Sequence, residues 1–378
     1  MGGVGHTSQE CDVVIVGAGV IGCAVAHELA RRGLRTVVVE ARAVGRGATQ
    51  ASAGVLAPFI EAREGSPLLE LTTRSLELYD EFVARITGES GVPVMYRRTG
   101  TVDVATSEAE MQVLRDRAGM LAHHGVAARI LDALTVRSEE PHLADGAVGG
   151  LLIDIHGFVA AADLTRALAT AARRHGAQLI EPSRVRRIGR NGGDVTVDTD
   201  RGSLTSGAVV IAAGSWSGEI AIDGIAARVP VRPVRGQLLT LAWTGTPLRR
   251  VTWSSRCYLV PWDDGTLLVG ATVEEAGFDE RATVAGVRDL LDAASEIVPH
   301  AWSAGFKGVR VGLRPATVDH LPVIGASHRA PNVMYATGHF RNGVLLAPLT
   351  ATLVADAMID GRFDPLLAAV SPSRFGDL

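Results

Sequence analysis

The residues best placed to do chemistry lie near the start of the chain. Gly17-Ala18-Gly19-Val20-Ile21-Gly22 follows a short β-branched run, Asp12 to Val16, and opens a stretch with helical periodicity. Three glycines at this spacing let the chain turn sharply, bring backbone close to a pyrophosphate and pack the next helix against the strand. Glu40 ends a second apolar run, Thr36 to Val39, near the distance at which a carboxylate accepts hydrogen bonds from a ribose. The chemistry implied is capture of the ADP half of a dinucleotide. The motif does not separate NAD, NADP and FAD, although Glu40 repels a 2′-phosphate and so disfavours NADP.

A second group of candidates consists of small residues. Gly45 to Pro58 is too glycine-rich and unpatterned for a regular element. A linker is out of place directly after a ribose-binding acid. Small residues let backbone N–H groups approach an anion or a flat ring, so a cofactor-contacting loop is expected. Val209-Val210-Ile211-Ala212-Ala213-Gly214 reads either as an inner strand meeting a loop or as a second backbone contact to the cofactor. Cys11, Cys23 and Cys257 are too few and too scattered for a disulfide framework or a zinc site, which points to a reducing compartment. Lys307 is the single lysine against 36 arginines. An arginine here therefore needs local context before it is given work, and Lys307 itself reads as a solvated surface residue.

The elements that must position these residues follow from periodicity. The glycine turn predicts a helix from about Val20 to Arg32, closed by Gly33 as a C-terminal cap. Leu68 to Ile86 reads as one amphipathic helix, Val94 to Val104 as strand material and Glu108 to His124 as a helix. Val148 to Ile153 predicts a strand, and Asp163 to His175 a helix capped by Ala162 or Asp163. From Arg228 to Val273, β-patterned runs joined by polar turns predict an antiparallel sheet in a second domain. Thr283 to Val298 is helical. Gly312 to Pro315 and Leu321 to Gly325 are expected to return the chain to the first domain. Val333 to Ala336 is a strand, and a long apolar helix begins after Gly338 and ends near Met358.

Composition sets the outer limits. At 378 residues two domains are expected, and 47% hydrophobic residues with a mean hydropathy of +0.20 describe a compact protein with a large core. The net charge of −4 comes with no basic stripe or polybasic segment, so neither nucleic acid nor a membrane surface is an expected partner. No apolar run reaches the roughly 18 residues that span a bilayer. The N-terminal MGGVGHTSQE lacks the basic and apolar regions of a signal peptide, and a cytoplasmic location follows.

Taken together, the motifs resemble the D-amino-acid oxidase family of flavoenzymes and, within it, the bacterial glycine oxidases associated with thiamine biosynthesis. The resemblance runs from Asp12 to about Arg362. It is carried by GAGVIG with Glu40, ASAGVLAP, RPVRGQ at Arg232 to Gln237, CYLVP at Cys257 to Pro261, GLRPATVDHLPVIG and GHFRNGVLLAP. The fold implied is α/β, α+β overall: a glutathione-reductase-like FAD-binding Rossmann domain with an inserted antiparallel-sheet substrate domain. Residues 1–90, 145–225 and 308–378 would form the former, and 91–144 and 226–307 the latter. Carried over by motif, Gly17, Gly19, Val20, Ile21, Gly22, Glu40 and Ala41 would hold the ADP half of a noncovalent FAD. Thr49, Ala53, Gly54, Val55, Ala213 and Gly214 would contact the rest, and Val185 would meet the adenine. His339, Phe340, Arg341, Asn342, Gly343, Val344 and Leu345 would pass the flavin ring, with the positive helix end facing it.

For the substrate, the resemblance implies Arg314 as the carboxylate clamp and Tyr258 as a hydroxyl donor beside it. Arg341 is either a second substrate arginine or a structural one, and Val273 lines the pocket. One departure stands out. Arg256 occupies a position where histidine can occur in glycine oxidases, and it reads either as a surface residue or as a pocket cation favouring acidic or longer substrates. The implied activity is oxidation of glycine, sarcosine or small D-amino acids by hydride transfer from Cα to flavin N5. O2 as acceptor would give H2O2, with the imine hydrolysing to a keto acid and ammonia. The family also suggests a homo-oligomer, perhaps a tetramer. A dehydrogenase passing electrons to a quinone or carrier, and a non-catalytic flavoprotein, are the alternative readings.

Overall fold

The computed structural model describes residues 10–60 and 64–378. Most of the N-terminal stretch read above for a signal peptide lies outside the described residues. At the centre of a nine-stranded sheet, strand Glu10–Val16 pairs in parallel with Thr36–Val39 on one side and Gly202–Ile211 on the other. Gln178–Ile180 and Val333–Thr337 extend these parallel pairings outward. Val13, Val14, Ile15 and Val16 are all buried, as a strand covered on both faces requires. Helices Val20–Arg31, Ala161–Arg174 and Gly343–Ala355 pack into the core on one face. The antiparallel strands Val185–Asn191 and Asp194–Thr199 continue from the first half of Gly202–Ile211 toward the other.

The second sheet has eight strands in the order Gly305–Ala316, Arg232–Ala242, Thr266–Gly270, Tyr258–Pro261, Val251–Trp253, Thr101–Ala105, Gly149–Ile153 and Arg129–Asp132. Its neighbours are antiparallel except for Val251–Trp253 beside Thr101–Ala105, which run in parallel. One face carries Val102, Leu239, Leu259, Leu267 and Val269 against helix Val284–Ile297. The opposite face carries Leu238, Val260, Tyr258 and Trp253 and packs against Ala53, Val55 and Phe158.

Five expectations change. Strands Gly149–Ile153 and Gly305–Ala316 belong to the second sheet, although boundaries at 145 and 308 assign them almost wholly to the first unit. Gly312 to Pro315 therefore does not return the chain to the first sheet. Gly305–Ala316 stays paired with Arg232–Ala242 along its length, and the return follows at Val323–Ala326. The single helix over Leu68 to Ile86 is two, Pro67–Glu77 and Tyr79–Ser90, broken at Leu78. Apolar spacing runs on through the break, so periodicity alone does not show it. The helix expected from Asp163 starts at Ala161, after Ala160 and without a side-chain cap. Finally, Gly343–Asp360 is long and apolar enough by length and composition to cross a membrane, unlike the expectation; 61% of it is buried, and its apolar residues form part of the core beside Val20–Arg31.

Candidate active site

A continuous cavity of about 1200 Å³ runs from the glycine turn to the second sheet. Its first end is built where strand Glu10–Val16 meets helix Val20–Arg31. Gly17 has φ +105°, and a Cβ there would lie 2.6 Å from the Ala212 carbonyl oxygen. Gly17, Gly19, Val20 and Ile21 line the cavity. Gly22 is set behind this wall. A Cβ at Gly22 would lie 1.9 Å from the Gly17 carbonyl oxygen, so its role is to let the helix start against the turn.

Glu40 and Ala41 also line the cavity. The Glu40 carboxylate accepts hydrogen bonds from the Ala18 N–H at 2.8 Å and the Arg42 N–H at 2.7 Å, holding the glycine turn in shape. Thr49 Oγ1 accepts from the Val20 N–H at 3.1 Å, which ties the small-residue loop to the start of the helix. Ala53, Gly54, Val55, Val185, Ala213 and Gly214 complete this wall.

The segment His339 to Leu345 passes along the cavity and feeds helix Gly343–Ala355, whose N-terminus opens onto it. Unpaired N–H groups at a helix start favour negative charge. The His339 imidazole is buried against Thr350 Oγ1 at 3.1 Å, and burial pushes it down to about 3, so it is neutral. Phe340 takes φ +48°, costing roughly 1–2 kcal/mol. Its N–H donates to the Pro315 carbonyl at 2.8 Å and its ring stacks on His320 at 4.7 Å, which holds that turn.

The far end is made by the second sheet. The Arg314 guanidinium lies over Gly236, where a Cβ would come within 2.4 Å of it, and Nη1 donates to the Thr272 carbonyl at 2.9 Å. Tyr258 stacks on Trp253 at 4.8 Å, with its hydroxyl 2.4 Å from where a Gly270 Cβ would be. Two glycines on one sheet face thus leave room for a guanidinium and a phenol. Arg341 and Val273 line the same cavity.

Arg256 is not part of this wall. It precedes strand Tyr258–Pro261 in a turn closed by hydrogen bonds between Ser254 and Cys257, and it pairs with Glu296 in solvent. Strand alternation from Tyr258 therefore does not carry to it. Lys307 lies off the cavity, donating to Thr266 Oγ1 at 2.9 Å.

Several lining residues had no signal in the sequence. The Arg42 guanidinium lies 4.6 Å over the Trp216 ring, Trp216 meets Phe278 at 5.8 Å, and Arg42 pairs with Glu280 at 2.8 Å. These contacts join the first sheet's loops to the second unit across one side of the cavity. Trp253, Gly236 and Arg117 also line it. Strand pairing brings Trp253 and Gly236 onto the face of Tyr258, so alternation combined with the correct pairing would have found them.

The residues present suit a dinucleotide with a flat ring. Glycine-lined backbone approaches one end, a helix N-terminus faces the middle, and a cation with a hydroxyl closes the other. Residues 12–357 match the family described as DAO, FAD dependent oxidoreductase. The chain is 35% identical over 348 residues to a glycine oxidase of Geobacillus kaustophilus, covering 91% of this chain and 92% of that protein. It is also 35% identical over 374 residues to a bifunctional ThiO/ThiG protein of Synechocystis, covering 96% of this chain and 54% of that one. The chain thus spans about half the length of the ThiO/ThiG relatives it matches. The crystal structure of glycine oxidase from Geobacillus kaustophilus superposes with a TM-score of 0.92 at 34% identity, covering 97% of this chain and 99% of the other. On these grounds the chain belongs to the DAO family of FAD-dependent oxidoreductases, with FAD as its cofactor.

Proposed function

We propose that the protein oxidises glycine and other small amines such as sarcosine and small D-amino acids, passing the electrons to O2. The single observation that carries this reading is the placing of Arg314 and the Tyr258 hydroxyl over Gly236 and Gly270, on the wall of the FAD cavity. A planar guanidinium binds a carboxylate through two parallel hydrogen bonds, and a phenol hydroxyl adds a third. An α-amino acid held this way has its carboxylate fixed and its Cα turned away from the sheet.

Bound FAD supplies a two-electron acceptor for the Cα–H bond. The protein's contribution is position. Gly236 and Gly270 let the clamp lie close to the sheet, and the Trp253–Tyr258 stack limits how the substrate turns. The amine enters deprotonated, having lost its proton to solvent. His339, neutral and bonded to Thr350, puts no charge beside the reacting bond. The products are an imine, hydrolysed to a 2-oxo acid and ammonia, or to a 2-oxo acid and methylamine when the substrate is sarcosine, and H2O2. The same proposal extends to a homo-oligomer, perhaps a tetramer, in the cytoplasm, and to a place in thiamine biosynthesis, supported by the ThiO/ThiG relatives.

The test is anaerobic mixing of the yellow protein with glycine, sarcosine, D-alanine and D-proline while following the oxidised flavin band. Bleaching, with H2O2 on admitting air, supports an oxidase. Bleaching without H2O2 moves the acceptor to a quinone or carrier, and no bleaching by any amine removes the reading.

A further inference from the structure

The clamp at Arg314 accounts for one carboxylate, yet the cavity wall carries another guanidinium. Arg117 lines the same cavity from helix Glu108–His123. It lies three residues after Leu114 and four before Leu121, on the helix's buried stripe. A charge on such a stripe has to be paired or put to use. Among the described residues its hydrogen bond is a single one, from Nη1 to Asp103 Oδ2. A guanidinium has five donors and meets a committed carboxylate partner with two of them. None of Arg117's nitrogens is among the buried atoms without a partner, so its remaining donors are exposed, on a residue that lines the cavity.

Strand register links this group to the clamp. Tyr258 pairs with Trp253, and Trp253 with Asp103, across three adjacent strands, so all three project from one face. The stacked rings of Tyr258 and Trp253 form a ledge that begins beside the substrate clamp and ends where Asp103 holds Arg117. At about 4.8 Å per strand spacing, Tyr258 to Asp103 spans roughly 10 Å at the backbone, and Gly236 beneath the Arg314 guanidinium lies two strands beyond Tyr258, roughly 19 Å from Asp103. Arg98 is close enough that its charge, like that of Arg117, adds to burial in keeping His156 neutral, while Asp80 and Asp103 offset part of that charge.

We propose that Arg117 is an anion subsite of the substrate cavity, and that the amines it selects carry a second carboxylate. An amino dicarboxylate would place its α-carboxylate at Arg314, its carbon chain along the Trp253–Tyr258 ledge and its distal carboxylate at Arg117. Glycine would be held at one end only. The proposal rests on the amine-oxidase reading above, and it replaces Arg256 with Arg117 as the cation that reads a longer, acidic substrate.

The experiment uses the FAD-loaded protein, its Arg117→Gln variant and the charge-keeping Arg117→Lys variant. Equilibrium dissociation constants of glutarate and butyrate are read from perturbation of the flavin band, and bleaching by D-glutamate, D-2-aminoadipate and D-alanine is followed without air. Wild type is expected to bind glutarate at least tenfold tighter than butyrate. Arg117→Gln removes that preference and raises the half-saturating concentration of the two dicarboxylic amines about tenfold or more. It shifts D-alanine and butyrate much less than the dicarboxylic ligands, and Arg117→Lys restores part of the preference. A wild type without the glutarate preference overturns the proposal even if the variant does not fold, as does a parallel shift of both ligand classes in the variant. If no amine bleaches wild type, the oxidase reading falls while the glutarate and butyrate titrations still decide the subsite.

Discussion

Arg314 and Tyr258 have different consequences when removed, because one supplies a charge and the other a neutral donor. Arg314→Ala takes away a charge-assisted, two-pronged contact worth several kcal/mol in a cavity, so kcat/KM for glycine should fall by about 10²–10³ while FAD stays bound. Tyr258→Phe removes one hydrogen bond and keeps the stack on Trp253, so a loss of about tenfold, mainly in KM, is expected. Steady-state kinetics alongside flavin content checks both. A loss of FAD in either variant would reassign the residue to the cofactor. Arg314 and Tyr258 stand in distinctive motifs, and it is those motifs that single them out in the sequence. For Arg256 the structure shows the surface alternative for a local reason: it stands two residues before Tyr258, but in a turn rather than a strand, so the side-chain alternation stops short of it.

At the scale of elements, the cavity is closed on one side by a strap from the second unit, Phe278 against Trp216 and Glu280 against Arg42. Glu280 does not line the cavity, so Glu280→Gln acts only through Arg42. Both partners are about one-third exposed, so salt weakens their pairing. FAD release, followed by the rise of free-flavin fluorescence, should speed up several-fold in wild type between low and high salt. In Glu280→Gln it should be fast at both; an unchanged release rate in the variant would show that the strap does not retain the cofactor. The glycine turn gives a sharper expectation. Gly22→Ala drives a Cβ into the Gly17 carbonyl, and since backbone rather than a flexible side chain must move, FAD affinity should drop more than tenfold. Titration of apoprotein with FAD measures it. The turn was readable from three glycine positions because its geometry is local. The strap was not, because Trp216 and Phe278 are 62 positions apart, Arg42 and Glu280 are 238 apart, and nothing in any of these segments names its partner.

For the whole molecule, burial lowers three histidines, His27, His156 and His339, and the last two shape the response to acid most strongly. His156 is bonded to Thr101 and stacked on Phe59, and burial pushes both it and His339 down to about 3. An unfolded histidine titrates near 6.5. Between these values the unfolded chain binds protons that the folded one refuses, so stability is complete above about pH 6.5 and falls as pH drops toward 3. Each histidine contributes a slope of about 1.4 kcal/mol per pH unit. Urea unfolding of the FAD-loaded protein between pH 7 and 5 should show this slope. His156→Phe, at some cost in the Thr101 bond, should flatten it by up to half, His27 and His339 keeping the rest; an unaltered slope would mean that carboxylates rather than these histidines control acid unfolding. The sequence by itself determined the nucleotide-binding half, because a strand, a glycine turn, a helix and a terminal acid interact within forty residues. Only the tertiary structure decided which strands make the second sheet and which side chains face the cavity. Sheet pairing between Val251–Trp253 and Thr101–Ala105, some 150 residues apart in the chain, is what brings Trp253 to Asp103 and so Arg117 to the wall.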